Sequence, residues 1–107
     1  MAPISNSAFR ALADQTRREI LTMLRTGPQT SGAIAAAFES RWPTISRHLG
    51  VLKEAGLVVA ERKGQEIYYE LNTSVFQDLA QHLMSWSGST RTLRRTQKRV
   101  RVKPQEV

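Results

Sequence analysis

Residues 40–56, SRWPTISRHLGVLKEAG, constrain the fold more than any other stretch of this chain. Ile45, Leu49 and Leu52 recur at i, i+4 and i+7, which puts them on one face of a helix. Pro43 suits the first helical turn, where its missing N–H would bond to nothing. Gly56 stands where such a helix needs a left-handed residue to stop. Thr44, Arg47 and Lys53 point away from the apolar face, Ser46 sits at its edge, and no acid precedes Glu54 within the stretch. A helix that opens with hydroxyls and a guanidinium is suited to phosphates and base edges. An amphipathic surface helix would show the same pattern, so the flanks decide.

The chain has 107 residues, enough for one small domain. A domain of this size buries a modest core, and a dimer would add to it. There is no cysteine, which excludes disulfides and thiolate metal sites. No apolar run is long enough to span a membrane, and the N-terminus lacks the pattern of a signal peptide, so the expected address is cytoplasmic. The net charge of +7 is unevenly spread: residues 1–87 hold nine Lys/Arg against eight Asp/Glu, and residues 88–107 hold seven against one. The expected organisation is one folded domain over 1–87 and a basic C-terminal tail over 88–107.

Before the central stretch, residues 5–12 read as a short helix capped by Ser5 or Asn6 and presenting Phe9 and Leu12 on one side. Asp14 or Thr16 caps the next helix, and Thr16 with Glu19 fits a capping box. Ile20, Leu21 and Leu24 form its core stripe, and Thr26-Gly27-Pro28 ends it. Thr30 caps a third helix, SGAIAAAFE, anchored by Ile34 and Phe38. A short turn then leads into the central helix, the helix-turn-helix arrangement.

After Gly56 the period changes to two. Leu57–Ala60 is a short β-type run, and Ile67, Tyr69 and Leu71 alternate with Glu66, Tyr68 and Glu70. Between the runs, Gly64 can supply the positive-φ turn position, and Arg62, Lys63 and Gln65 cluster at the tip. A helix-turn-helix followed by such a hairpin is a winged helix. Thr73 caps a last helix over roughly 74–86, whose stripe contains Phe76, Leu79, Ala80 and Leu83, with Val75, Met84 and Trp86 at its edges. The predicted fold is therefore mainly α with a small β-hairpin, in the order α-α-α-α-β-β-α. Phe9, Leu12, Phe76, Leu79, Leu83 and Trp86 are the candidate dimer surface. The tail has three open readings: a solvated segment, a phosphate-binding arm, or an expression remnant or partner-binding segment.

FRALADQTRREILTMLRTGPQTSGAIAAAF, PTISRHLGVLKEAGLV and ERKGQEIYYEL together resemble the ArsR family of bacterial winged-helix repressors, over about residues 8–86. The end of the match is most similar to the family's non-metal autorepressor subgroup. The resemblance implies a homodimeric repressor on a palindromic operator, often at its own promoter. It puts Pro43, Ser46 and Arg47 where members touch the major groove. It also puts Arg62, Lys63 and Gln65 at a wing tip near the backbone or minor groove. The chain departs from the family at Ser40-Arg41-Trp42, so the cap moves to Ser40. Trp42 either stacks on sugar or a thymine methyl, or fills the turn. Where metal-sensing members carry cysteines, this chain has AIAAAF.

The expected function is sequence-specific binding of double-stranded operator DNA, through Arg41, Trp42, Pro43, Thr44, Ser46 and Arg47 of the recognition helix and the wing residues above. No cofactor, metal or membrane partner is expected, and any inducer stays unnamed. One alternative is a metal-responsive repressor using Asp78 and His82, a spacing that can hold zinc but equally an ordinary helix pair. Another is a winged-helix protein-interaction module. No enzyme is expected: there is no phosphate loop, and the two histidines stand in no acid–base constellation. His48, beside the core face, reads as a packed or hydrogen-bonded structural residue.

Overall fold

Side chains that accept from the first turn fix three of the helix starts. In the computed structural model, which describes residues 5–39 and 42–88, Ser5 accepts from the Ala8 amide. Asp14 accepts from Arg17 and Thr30 from Ala33, both at 3.0 Å. They open α1 (Asn6–Leu12), α2 (Gln15–Met23) and α3 (Ser31–Ala36). Asp14 alone takes the cap of α2, which leaves Thr16 inside the helix, and the expected capping box does not form. A single 3-10 turn, Leu24–Thr26, follows α2. The third helix is shorter than SGAIAAAFE: it ends at Ala36, and Phe38 packs on the core from the turn beyond it.

The central helix, α4, spans Trp42–Glu54. Its end is a Schellman turn: Leu57 N–H donates to the Leu52 carbonyl and Gly56 N–H to that of Lys53, with Gly56 at φ 80°. Leu52 and Leu57, brought together by this turn, are both fully buried. Ile45, Leu49 and Leu52 are at most 2% exposed, and with Ile20, Leu24 and Ile34 they make the core between α2, α3 and α4. Helix α1 enters it through Ala8 and Ala11, small enough to bring its backbone close, with Leu12 half-buried against it.

The hairpin is longer than its sequence pattern. Strands β2 (Val58–Lys63) and β3 (Glu66–Leu71) pair from Val58↔Leu71 to Lys63↔Glu66, so only Gly64 and Gln65 form the turn, with Gly64 at φ 65°. A further strand, β1 (Gln29–Thr30), pairs with Tyr69 and Tyr68 on the other side of β3, giving the order β1-β3-β2. The residue pattern does not announce it. Helix α5 (Thr73–Trp86) follows Asn72, not Thr73 as cap. The Asn72 side chain instead donates to the Gly56 carbonyl, and its amide to that of Leu57, which clasps the hairpin to the end of α4. Ser40, the expected cap of α4, Arg41 and the tail beyond Gly88 lie outside the described residues.

Candidate nucleic-acid interface

The buried stripe of α4 fixes which of its residues can meet a ligand. With Ile45 and Leu49 turned inward, Trp42, Pro43, Ser46 and Arg47 are exposed and Thr44 is half-buried. No acidic residue lies in the first turn, so the positive end of the helix is not neutralised there. Arg47 has no hydrogen-bond or ion-pair partner among the described residues. Trp42 is 51% exposed and shares a cleft of about 250 Å³ with Thr30 and Ser31 at the start of α3 and with Gln65 and Glu66 of the hairpin tip. The start of α4 and the tip of the hairpin therefore border one surface.

At that tip the basic side chains are exposed but folded onto their own hairpin. Arg62 Nη1 donates to the Gly64 carbonyl at 3.3 Å, and the Lys63 ammonium stands 5.2 Å from the centre of the Tyr68 ring. Both contacts are the weak, solvent-facing kind that a phosphate can replace. Gln65 is exposed beside them.

His48, next to Arg47, faces inward to a polar junction. Arg17 Nη1 donates to His48 Nδ1 at 3.2 Å; a guanidinium has no lone pair, so the ring nitrogen is the acceptor. His48 Nε2 is 3.9 Å from Asp14 Oδ2. Arg17 also donates to the carbonyls of Ala11 and Arg10, and Arg18 to that of Leu12, so the open end of α1 is closed by two arginines of α2. The Arg17 N–H bonded to Asp14 holds that carboxyl below its usual value; desolvation opposes the shift, and the Arg17 guanidinium adds to it. Sequence reasoning located the Asp14 cap but missed Arg17 and Arg18, whose partners become neighbours only when α1 folds back on α2.

The candidate dimer residues divide. Leu79 is buried, while Leu12 and Phe76 are half-buried against the protomer's own core. Phe9, Leu83 and Trp86 are exposed by 37%, 50% and 67%, and the Phe9 and Trp86 rings stack at 6.2 Å between centres. That leaves an apolar patch across α1 and α5. Asp78 and His82 lie one turn apart on α5, where the His82 ring tilts against Trp86. Among the described residues no group of three or more His, Cys, Asp or Glu could hold a metal ion. No helix among them is long and apolar enough to cross a membrane.

With this geometry in place, known proteins give a consistent picture. The family profile described as a helix-turn-helix domain matches residues 12–61. The transcriptional repressor SdpR of Bacillus subtilis is 51% identical over 73 residues, covering 68% of this chain and 81% of the relative. A solved ArsR family transcriptional regulator superposes with a TM-score of 0.72 at 28% identity, covering 77% of this chain and 90% of that one. The homodimeric winged helix-turn-helix DNA-binding domain of a possible ArsR-family regulator from Mycobacterium bovis superposes with a TM-score of 0.63. It is 31% identical over 81% of this chain and 91% of that one.

Proposed function

This chain belongs to the ArsR family of winged helix-turn-helix transcriptional regulators, and from that premise we propose that it is a homodimeric repressor of a palindromic operator. The observation that carries the reading is the first two turns of α4. Their outer face is exposed and free of acid, and it is held by a core face that is at most 2% exposed, beside a basic hairpin tip. Two such helices in a two-fold dimer would enter successive major grooves about 34 Å apart.

In this reading Arg47 makes a bidentate contact with guanine, which sets sequence choice. Pro43, Thr44 and Ser46 shape the helix end and add contacts to bases or phosphates, with Arg41 ahead of them. Trp42 opens the recognition helix beside the cleft it shares with the wing tip, where its ring can reach a sugar or a thymine methyl. Arg62, Lys63 and Gln65 hold the backbone and contribute affinity rather than choice. The apolar patch of Phe9, Leu83 and Trp86, flanked by the half-buried Leu12 and Phe76 and backed by the buried Leu79, is the dimer surface. The domain ends near residue 87, and the basic segment beyond it adds non-specific attraction to DNA.

The chain's own promoter is the first operator to test. Hydroxyl-radical footprinting of the full chain on its upstream DNA is expected to give a two-fold-symmetric pattern whose half-sites lie one helical turn apart. An unsymmetrical or unbroken pattern would contradict a dimer reading two half-sites.

A further inference from the structure

Gly50 stands in the middle of α4, where glycine is the weakest helix former after proline. Nothing inside the protomer explains it: a Cβ added there would meet no heavy atom within 4 Å. It opens instead onto a trough of about 570 Å³ between the outer faces of α1 and α4. That volume falls within the range of small-molecule sites. Val51 and Ala55, half-buried, give the trough an apolar lining. Arg10, Arg47 and Lys53 border it against a single carboxylate, that of Glu54.

We propose that this trough binds a small amphipathic anion, an aryl or alkyl carboxylate. Its charge is taken by Arg10 and Arg47, and its apolar body lies along Val51 and Ala55 beside Gly50. The lining and the border select this class together. A bare phosphate, including that of DNA, gains nothing from an apolar wall. A neutral apolar ligand leaves the cations without a counter-charge. A second copy of the chain would bury the three cations of this border beside one acid. If Arg47 reads DNA as proposed above, an anion held here competes with the operator, and the trough is an inducer site.

The test uses the full ¹⁵N-labelled chain without DNA and two probes, 4-phenylbutyrate and its uncharged amide. The acid is expected to shift the amides of Arg10, Gly50, Val51 and Ala55 saturably, and the amide probe to bind at least tenfold more weakly. Gly50→Leu, which fills the trough, and Arg10→Glu, which reverses its border charge, are each expected to weaken the acid at least tenfold with the remaining spectrum unchanged. Equal binding of acid and amide, shifts centred on α5, or undiminished binding by both variants would overturn the site. So would movement of the same resonances with protein concentration alone, which would mean a second copy covers the trough. Release of a bound upstream duplex by the acid supports the inducer role. Saturable binding at the trough with the duplex still held would leave the site standing and overturn the assignment of Arg47 to DNA.

Discussion

Arg17 and Arg47 carry the same charge and are put to opposite uses. Arg17 is spent inside the protomer, closing two carbonyls of α1 and donating to His48. Arg47 is left to solvent on the same helix as His48. Replacing Arg47 with Ala is expected to remove about 1–3 kcal/mol of discrimination between operator and scrambled duplex while the melting temperature holds. Equal weakening on both duplexes in anisotropy titrations would show that it only touches phosphate. Asp14 makes a separate prediction, about pH. Its carboxyl titrates in the folded state below its unfolded value near 3.8, so its contribution is complete above that value and is lost as pH falls through the folded one. Asn caps a helix nearly as well as Asp but does not ionise. The stability gap between the native chain and Asp14→Asn, measured by urea unfolding, should therefore narrow as pH falls from 6 to 3. A gap that stays constant or widens in acid would contradict the sign.

Among the elements, α4 was the most legible. Ile45, Leu49 and Leu52 carry the helical period, and all three are buried because that period is the packing condition itself. Other features lack a local signal. Strand β1 is two residues long and exists because Tyr68 and Tyr69 offer it an edge, which no period can announce. Strand β2 runs on to Lys63, but its last three residues leave the core, so both faces meet solvent and the alternation that marks a strand disappears. At α5 two adjacent residues could cap, and Asn72 precedes the helix while its carboxamide is drawn to Gly56, a contact set by the closing of the hairpin. The wing's basic tip yields its prediction at this scale. Replacing Arg62 and Lys63 with Ala should weaken specific and scrambled duplexes alike, and lower the slope of log K against log salt by about 0.9 for each phosphate that is no longer neutralised. A change in sequence preference instead would make the wing a base reader.

For the whole molecule, the proposed recognition surface is written in the sequence as residue types at the start of a helix, and the trough at Gly50 is not. A mid-helix glycine looks like tolerated noise in a sequence and acquires a meaning only when α1 is seen across from it. The apolar patch follows the course of α5, which packs inward at Leu79 and carries Leu83 and Trp86 progressively into solvent. Leu83→Glu should convert a dimer to a monomer in sedimentation velocity, leave the protomer folded, and remove most operator affinity, because each half-site would then bind alone. A dimer that persists would move the interface elsewhere. The central claim is sequence-specific repression by a dimer, and fluorescence anisotropy tests it most directly. The full chain is titrated against its own upstream duplex and a scrambled one, at about 50 and 200 mM salt. A preference of about 10³-fold or more that persists at the higher salt is the predicted result. Equal binding to both duplexes that collapses with salt would contradict it.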